Sequence, residues 1–524
     1  MIPRKPKLSR LLGSWLAPWE RLVSWFFGPD YNPTYQSGVL AVYLLALVVA
    51  SGLPLLFFYK VGAPYESVQW VQGQWALGWL RGLHRYASDA AVVAVFFHAL
   101  RMLQGGRTSG PRRRAWLSGL ALLGLMIFIG VLGLVMVWDE QGEKLAVQGI
   151  QFLAGLPFFS EPPGRIFADN QALGESFFFM LIFLHVALPL VLVFLFLAHT
   201  SRTARARYWP ERHLVRAYGW GLAGLALCLP VPLAAPADLL RLPGRVYLDP
   251  WYGFWLPAAE KLGTGGTLLA LGLLLLGLGS LPWWWAVDGP GRAQASVVDE
   301  SSCTGCTQCV QDCPYDAIEM VKRTHLLDGR HSPLVALVNS DLCVSCGLCA
   351  ASCAPMGVGP PQRTGRDQLR AAEQFASTRD WREGDVVLLA CRWGSGEHPG
   401  WSAIPGIHCY PTGCCGSIHT SVLELFLRKG AAGVFVLTCP ERDCSQREGP
   451  KWLRLRVYED REAELQARVD RRRVRLFACP GVEVERARRE LLAFRQELLK
   501  DPAGQSLPEG ELRCRSSEVQ DGQT

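Results

Sequence analysis

The stretch RGLHRYASDAAVVAVFFHALR, residues 81–101, combines an apolar run of membrane-spanning length with ionisable side chains near both of its ends. His84 and His98 lie fourteen residues apart within it. An ionisable side chain inside a membrane helix is costly, and it usually has a function. This stretch therefore predicts a membrane helix that uses two histidines for a chemical purpose.

A second apolar run, FLHVALPLVLVFLFLAHT at residues 183–200, repeats the pattern with His185 and His199, again fourteen residues apart. At 100° per residue, fourteen steps return to within about 40° of the start, so each pair shares one helix face. A rise of about 1.5 Å per residue separates the two histidines of a pair by roughly 21 Å, near the two bilayer surfaces. Two such helices facing each other would form two His–His pairs, which is what two b-type haems in an apolar bundle require.

Four glycines repeat the same spacing in two other apolar runs: Gly38 with Gly52, and Gly119 with Gly133. Missing side chains would let the backbone approach the faces and edges of a haem. Arg81 and Arg101 lie three residues outside the histidines of the first stretch, where we expect them to neutralise haem propionates. An interhelical hydrogen bond is the alternative role for one membrane histidine, but four histidines and four glycines with one spacing favour a di-haem bundle.

Apolar runs long enough to cross a bilayer, which takes roughly 20 residues, occur six times in the first half of the chain. They are residues 38–59, 82–103, 116–138, 176–199, 215–235 and 263–286. Fifteen Lys and Arg residues lie in the N-terminal segment and in the loops after the second and fourth runs, against seven on the other side. This asymmetry predicts a multi-pass protein of a bacterial or archaeal cytoplasmic membrane with both termini in the cytoplasm. The net charge of +7 follows from this topology and does not indicate nucleic-acid binding.

The first 286 residues resemble the cytochrome b of cytochrome bc complexes. The signatures that match are Arg81-x-x-His84, His98-x-x-Arg101, Trp116-x-x-Gly119, Gly133 followed by LVMVW, and HVALP beginning at His185. The resemblance implies that His84 and His185 bind the haem nearer the outside. It also implies that His98 and His199 bind the haem nearer the cytoplasm.

Residues 236–260, between the fifth and sixth runs, resemble the outer quinol-site loop of that family, with its Pro-Glu-Trp-Tyr motif. Here Pro250 is followed directly by Trp251 and Tyr252, so the glutamate is missing, and we expect these three residues to line the quinone site. The family's inner quinone-site histidine is replaced by Ala204. Both quinone sites therefore depart from the family pattern.

Two cysteine runs, SCTGCTQCVQDCP and LCVSCGLCAASCAP, follow a polar linker at residues 287–296 and predict a two-cluster ferredoxin domain over residues 297–360. In such domains the fourth cysteine of each run ligates the other cluster. The first [4Fe–4S] cluster is then held by Cys303, Cys306, Cys309 and Cys353, and the second by Cys343, Cys346, Cys349 and Cys313. Zinc is the alternative, but the doubled C-x₂-C-x₂-C-x₃-C spacing favours iron–sulfur clusters.

After a predicted linker at 361–382, residues 383–498 alternate short apolar strands with helices, which predicts a small parallel sheet. The motifs CRW, CCGS with GAAGVFVL, and TCPERDC resemble the iron–sulfur delta subunit of methyl-viologen-reducing hydrogenase. That resemblance implies a [2Fe–2S] cluster whose ligands are Cys391, Cys414, Cys439 and Cys444. Gly394 stands where the family has a second cysteine, so Cys415 or Cys409 is an alternative ligand, and a domain that only docks is the alternative role. The tail, residues 499–524, is expected to be disordered.

The expected fold is multidomain: an all-α bundle of six membrane helices (residues 1–286), then an α+β two-cluster ferredoxin domain and a small α/β parallel-sheet domain. The resemblances imply a membrane electron-transfer subunit of a quinone-linked oxidoreductase, which moves electrons between quinone and a soluble partner through two b haems and the iron–sulfur clusters. The alternative is a membrane-anchored adaptor without its own quinone site.

The expected partners are membrane lipid, quinone, and a cytosolic flavoprotein of heterodisulfide-reductase type or another dehydrogenase or hydrogenase. An outer-side cytochrome or iron–sulfur protein is a further expected partner. The cytochrome b resemblance implies a homodimer.

Overall fold

The computed structural model describes residues 7–28, 31–154, 168–169, 172–201, 205, 207–240, 246–247, 249–284, 294–323, 332–396 and 398–500. Its membrane half is built from helices, with one short antiparallel strand pair, β1 (Ala168–Asp169) with β2 (Ala172–Leu173). The helices are α1 (Lys7–Phe27), α2 (Ser37–Leu56), α3 (Pro64–Gly73), α4 (Trp75–Gln104), α5 (Arg113–Val135), α6 (Glu140–Ala154), α7 (Glu175–Ser201), α8 (Arg212–Cys228) and α9 (Leu256–Trp284). The predicted tail lies outside the described residues beyond position 500.

Five of the described helices are long and apolar enough to cross a membrane. They span Pro33–Leu56, Trp75–Gln104, Gly110–Val135, Glu175–Ser201 and Leu256–Trp284. The run predicted at residues 215–235 is helix α8, which has 17 residues, fewer than the roughly 20 that a span requires. Pro230 and Pro232 lie just beyond its end, where proline cannot continue a helix. Five of the six predicted runs therefore coincide with described helices of spanning length, and the sixth span stays a prediction.

The histidine helices and the glycine helices alternate in the bundle. Helix α2 packs along α4, and α5 packs along α7, so each histidine helix has a glycine helix beside it. Helix α8 packs against α4, and Trp79 Nε1 in α4 donates to the Ala223 carbonyl in α8 at 2.9 Å. The amphipathic helix α1 lies against the end of α4, where the Ser9 hydroxyl contacts the Gln104 carbonyl. We call this end of the bundle the junction side, because the ferredoxin and C-terminal domains contact it.

The ferredoxin domain is an internal duplication with an offset of forty residues. Strands β3 (Val297–Val298) and β6 (Val358–Gly359) pair antiparallel, as do β4 (Ile318–Lys322) and β5 (Leu334–Val338). Short helices α10 (Gln308–Gln311) and α11 (Leu348–Ser352) begin at equivalent places in the two halves. Their N-cap residues, Thr307 and Gly347, have φ of 69° and 80°, a left-handed turn that lets each cysteine loop curl around one site.

The C-terminal domain is a four-stranded parallel sheet with the strand order β10-β9-β7-β8. The strands are β7 (Val386–Ala390), β8 (Ile407–Tyr410), β9 (Gly433–Thr438) and β10 (Val474–Ala478). Helices α12 (Gly365–Ser377), α13 (Thr420–Arg428), α14 (Gly449–Tyr458) and α15 (Val484–Lys500) accompany it. Two hydrophobic cores form, one on each face of the sheet.

Three of these elements, β8, α12 and α14, were absent from the prediction. Strand β8 follows a proline and has only four residues, which is too short for a clear alternation pattern. Helix α12 occupies most of the predicted linker at 361–382, and its Ala372 and Ala376 are buried in the core beside α13. A capping box of Thr364 and Asp367 begins this helix, so the linker is folded as part of the C-terminal domain.

Candidate redox-cofactor sites and the junction between them

The four membrane histidines form the two predicted pairs. The rings of His84 and His185 face each other across the bundle, with centroids 6.4 Å apart. His98 and His199 line one cavity at the junction side. The structure therefore places one pair near each end of the bundle, as the fourteen-residue spacing predicts.

Backbone and hydroxyl partners orient these rings. His84 Nδ1 donates to the Val48 carbonyl at 2.9 Å, and His185 Nδ1 donates to the Ile129 carbonyl at 3.0 Å. A hydrogen on Nδ1 leaves the Nε2 lone pair free to coordinate iron. Both rings are thus held in the tautomer that an axial haem ligand needs, and the residues present fit a bis-histidine haem.

The four glycines lie against the histidine rings. A Cβ added at Gly52 would stand 2.7 Å from His84 Cε1, and one added at Gly38 would stand 2.8 Å from His98 Cε1. The corresponding separation is 2.8 Å between Gly133 and His185, and 3.3 Å between Gly119 and His199. Since real Cβ atoms essentially never approach within 3.0 Å, three of the four positions exclude any larger residue unless the ring moves. The glycines therefore make room for the imidazoles themselves.

The two arginines predicted to meet propionates have protein partners in this structure. Arg81 Nη1 donates to the Val231 carbonyl at 3.1 Å and to the Gln72 side chain. Arg101 is buried and forms ion pairs with Glu20 in α1 and with Asp443 in the C-terminal domain. Their role towards propionates stays a prediction.

Among the predicted quinone-site residues, Tyr252 is buried, whereas Trp251 is 38% exposed and Pro250 is exposed. The Tyr252 hydroxyl hydrogen-bonds the Ser88 hydroxyl at 2.6 Å, one turn beyond His84 on α4. A Cβ added at Gly130 would overlap the Tyr252 ring, so that ring fills the space beside α5.

The acidic residue nearest this motif has a structural role. Asp249 Oδ1 accepts from the backbone N–H groups of Trp251 and Tyr252, each at 2.8 Å, and its carboxylate pairs with Arg85. Glu260, the other nearby acid, pairs with Lys144 at 2.6 Å. The structure thus provides a carboxylate beside Tyr252, but it is already engaged by a turn and an arginine.

The eight ferredoxin cysteines form the two predicted sets. Cys303, Cys306, Cys309 and Cys353 line one small cavity, and the charges of the other three act on Cys309. In the other set, Cys346 lies close to Cys313 and Cys343. In both sets one ligand comes from the other half of the duplication.

Backbone and hydroxyl donors point at these sulfurs, as a negatively charged cluster requires. The Gly357 N–H donates to Cys353 Sγ at 3.3 Å, and the Ala317 N–H donates to Cys313 Sγ at 3.4 Å. Without a cluster, burial raises the pKa of Cys309 and of Cys346 to about 12. Thiols with such a high pKa must be deprotonated by the metal, which is how cluster ligation proceeds.

The C-terminal cysteines converge at the carboxyl edge of the parallel sheet. Cys391 directly follows β7, Cys439 directly follows β9, and their sulfurs are 4.0 Å apart. The sulfurs of Cys414 and Cys444 both stand 3.4 Å from the position of a Cβ added at Gly449. All four thiols are buried. The predicted ligands therefore lie together where parallel sheets commonly bind cofactors.

The two alternative ligands lie differently. The Cys415 thiol is within hydrogen-bond reach of the Cys391 sulfur, but it also donates to the carbonyls of Leu389 and Leu437, each at 3.4 Å, which engage it with the sheet backbone. Cys409 packs against the core on the opposite side of the sheet. Within the described residues, no three His, Cys, Asp or Glu side chains are close enough together to hold a single metal ion.

Arginines from the junction side of the bundle hold residues 441–448 of the C-terminal domain, a segment we call the junction loop. Arg107 Nη2 donates to the Asp443 carbonyl at 2.8 Å, and Arg101 pairs with its carboxylate. Arg112 donates to a junction-loop carbonyl at 3.2 Å and contacts the hydroxyl of Tyr315 in the ferredoxin domain. The membrane bundle therefore contacts both iron–sulfur domains.

Arg205 makes a further contact of this kind. Its Nη1 donates to the Gln311 carbonyl of the ferredoxin domain at 2.5 Å and lies 3.6 Å from Glu448 of the junction loop. Arg205 directly follows Ala204, the family's inner quinone-site position, which lies outside the described residues. In this structure Arg205 serves the docking of the iron–sulfur domains.

A cavity of about 1670 Å³ lies between the bundle and the iron–sulfur domains. His98 and His199 line its membrane end, and Cys343 and Cys444 line its other end. It brings the His98–His199 pair and predicted ligands of two cluster sites around one shared space. The junction loop was not predicted from the sequence, and the one available signal was the position of Asp443 directly before the predicted ligand Cys444.

Three family models match separate parts of the chain. The model described as Cytochrome b/b6/petB matches residues 22–204, the 4Fe-4S dicluster domain matches residues 294–358, and the delta subunit of methyl-viologen-reducing hydrogenase matches residues 386–500. These matches confirm the three-part resemblance, whereas the predicted domain boundaries stay predictions.

Curated relatives cover the membrane part. Cytochrome b6 of Mastigocladus laminosus is 27% identical over 160 residues, which is 30% of this chain and 73% of the relative. Cytochrome b6 of Crocosphaera subtropica is 26% identical over 186 residues, 34% of this chain and 83% of the relative. A solved structure titled "Hyperthermophilic respiratory Complex III" has 18% identity and a TM-score of 0.38, covering 48% of this chain and 75% of that chain. A TM-score this low supports no inference about function.

Fold, sites and family matches together define the class: a membrane electron-transfer protein with b-type haem and [4Fe–4S] sites. Within that class, the chain joins a cytochrome b-like bundle, a dicluster ferredoxin domain and a hydrogenase-delta-like domain in one polypeptide.

Proposed function

We propose that this chain is the electron-transfer subunit of a quinone-linked oxidoreductase, carrying electrons between the quinone pool and a soluble redox partner. The proposal includes two b-type haems, two [4Fe–4S] clusters and one [2Fe–2S] cluster. When bound, these groups supply a series of one-electron carriers. The protein's part is then to fix their separations, exclude water and set their potentials.

The observation that carries the proposal is the shared cavity at the junction. His98 and His199 line its membrane end, and Cys343 and Cys444 line its other end. The arginines that hold the junction loop keep this arrangement rigid, because Arg101 and Arg107 both bind Asp443, directly beside Cys444. A fixed short separation is what one-electron transfer between protein-bound groups needs.

The [2Fe–2S] part of the proposal rests on the four buried thiols at the carboxyl edge of the sheet. Cysteine is the usual ligand of such clusters, and four are available here. A Cβ added at Gly394, which replaces the family's second cysteine, would have as its nearest atoms the Cys391 and Cys479 carbonyl oxygens at 3.6 and 3.7 Å and Cys439 Cα at 4.0 Å. Its lack of a thiol is therefore compatible with a complete set of four ligands.

The iron–sulfur domains are proposed to lie in the cytoplasm, because the junction side carries the arginine-rich loops and the positive-inside rule places such loops there. A flavoprotein of heterodisulfide-reductase type, or another dehydrogenase or hydrogenase, is the proposed soluble partner. The similarity to the hydrogenase delta subunit supports this assignment. Outer-side redox proteins and a homodimer belong to the same proposal on the strength of the cytochrome b resemblance.

A second candidate function, an adaptor without its own quinone site, is favoured by the outer loop. Tyr252 is only 1% exposed, and Asp249 is engaged by Arg85 and by two backbone N–H groups. In the adaptor the bundle would pass electrons between protein partners on its two sides. The two candidates differ in whether a quinol can reduce the haems directly.

The test is optical. A reduced quinol analogue is added to the purified protein in detergent while the b-haem α-band is followed. The proposal predicts haem reduction that a quinone-site inhibitor blocks and that Tyr252→Phe slows, whereas Tyr247→Phe, an exposed change in the same loop, serves as the control. If dithionite reduces the haems and quinols of suitable potential do not, the adaptor replaces the quinone oxidoreductase.

A further inference from the structure

Arg456 is a buried cation at the meeting point of the ferredoxin and C-terminal domains. It lies on α14, its side chain is 0% exposed, and among the described residues it is the largest fully buried side chain. Its positive charge is desolvated, so the protein must compensate it with partners. Those partners indicate what the residue is for.

The guanidinium reaches three elements at once. Arg456 Nη1 donates to Ser352 Oγ at 3.1 Å and to Asp312 Oδ2 at 3.3 Å, and Nη2 donates to the Gly416 carbonyl at 2.9 Å. Ser352 Oγ in turn donates to Asp312 Oδ2 at 2.6 Å. The first two partners belong to the ferredoxin domain, and the third belongs to the C-terminal domain.

Each partner adjoins a ligand of a different cluster site. Asp312 precedes Cys313 of the second [4Fe–4S] site, and Ser352 precedes Cys353 of the first. Gly416 follows the CC pair that contains Cys414, the ligand of the C-terminal site. One planar donor group thus contacts the chain beside a ligand of every iron–sulfur site in the proposed series.

We propose that Arg456 is a positioning residue that fixes the three iron–sulfur sites relative to one another and raises their reduction potentials through its buried charge. This inference rests on the proposed electron-transfer function. Burial lowers the pKa of Arg456 to about 10, so the side chain keeps its charge at neutral pH. A fixed positive charge favours the reduced, more negative state of a cluster, and low dielectric surroundings strengthen that effect.

Arg461 provides a matched control. Its Nη2 donates to the other oxygen of the same carboxylate, Asp312 Oδ1, at 2.5 Å, but its side chain is 23% exposed. Removing Arg461 takes away one positive charge near the same site while leaving solvent to screen the change. If any lost positive charge near Asp312 had the same effect, substituting Arg456 or Arg461 would shift the cluster potentials equally. The proposed role predicts a larger shift for Arg456.

The experiment is a redox titration of the full-length protein in detergent, with dithionite and mediators, followed by EPR of the reduced clusters. Arg456→Met is expected to lower the reduced-to-oxidised ratio of each cluster at a given potential at least tenfold. For a one-electron couple this corresponds to a reduction potential lowered by about 59 mV. Arg461→Met is expected to change it less than threefold. Arg456→Lys, which keeps the charge but cannot contact all three acceptors, should retain the wild-type potentials while weakening the spin coupling between clusters.

Asp312→Asn tests for a potential shift of the opposite sign, and it keeps the side-chain volume nearly unchanged. It leaves the Arg456 charge uncompensated, so the cluster potentials should rise, opposite to the fall expected in Arg456→Met. If the Arg456–Asp312 pair had only a structural role, the two variants would not shift the potentials in opposite directions. If Arg456→Met fails to bind its clusters, the potentials of Asp312→Asn still test whether the Arg456 charge raises the cluster potentials. Potentials in Asp312→Asn that are unchanged or lowered, or equal shifts in the Arg456→Met and Arg461→Met proteins, would overturn the proposal. The titration uses no quinol, so a result against the role of Arg456 is distinguishable from a result against the quinone-linked function.

Discussion

Substituting single glycines of α2 should remove one haem at a time. Gly52 lies against His84, and Gly38 lies against His98, so the two positions address opposite ends of the bundle. An alanine Cβ would stand 2.7 Å from His84 Cε1 in one variant and 2.8 Å from His98 Cε1 in the other. Because these separations are shorter than 3.0 Å, the ring or the helix must shift in each case.

The size of the effect follows from overpacking. Forcing an extra carbon into a well-packed site costs about 1–3 kcal/mol. If that cost falls on the position of the axial ligand, haem retention weakens roughly 5- to 150-fold. Gly52→Ala should therefore lose mainly the haem of His84 and His185, and Gly38→Ala mainly the haem of His98 and His199.

The assay is haem per protein by pyridine haemochrome, combined with a redox titration of the α-band. Each variant should approach one haem instead of two and show one reduction step instead of two. Gly124→Ala in α5 is the matched control, because a Cβ there meets no atom within 4 Å. Two intact haems in both the Gly38 and Gly52 variants would refute the assignment of these glycines to the ligand rings.

Three further predictions concern the sites separately. His84→Leu and His185→Leu should each remove the same haem, because the two rings face each other, and the surviving α-band should be identical in the two proteins. Cys414→Ser should lose the C-terminal cluster while Cys415→Ser keeps it, because the Cys415 thiol donates to strand carbonyls. Iron content and EPR would distinguish the two variants. The reverse pattern would exclude Cys414 as the ligand. Burial raises the pKa of Cys346 to about 12 in the cluster-free fold. Protein stripped of its clusters should therefore lose stability as the pH rises from about 9 towards 12, measured by denaturant titration. Protein that carries its clusters should not show this loss.

The sign of that pH dependence follows from linkage. A thiol whose pKa is higher in the folded than in the unfolded chain binds its proton more tightly when folded. Its contribution to stability is then complete below the unfolded pKa and is lost as pH rises through the folded pKa. Stability of the stripped protein that increases over this range would contradict the burial of these thiols.

The histidine spacing and the cysteine runs predicted most of the site, because each depends on a short repeating pattern along the chain. Helical geometry alone places His84 and His98 at opposite ends of one face. What the sequence could not distinguish was Cys414 from Cys415, since adjacent cysteines differ only in the direction that their side chains take from the folded backbone.

Contacts between distant segments were also beyond the sequence. The pairing of Arg101 with Asp443 joins residues 342 positions apart, and both have ordinary local surroundings. Arg456 lies in a helix of alternating charged and apolar residues that resembles a surface helix, yet its side chain is fully buried between two domains. By contrast, helix α12 had a recognisable start in its Thr364–Asp367 capping box.

The most direct test of the account is whether electrons pass from the haems to the iron–sulfur sites within one polypeptide. The purified protein would be mixed rapidly with a quinol of low potential, frozen at intervals, and examined by optical spectroscopy for the haems and by EPR for the clusters. The account predicts that haem reduction is followed by cluster reduction, and that Asp443→Asn slows the second phase without changing the first. Haems that become reduced while clusters of suitable potential, reducible by dithionite, stay oxidised would contradict it.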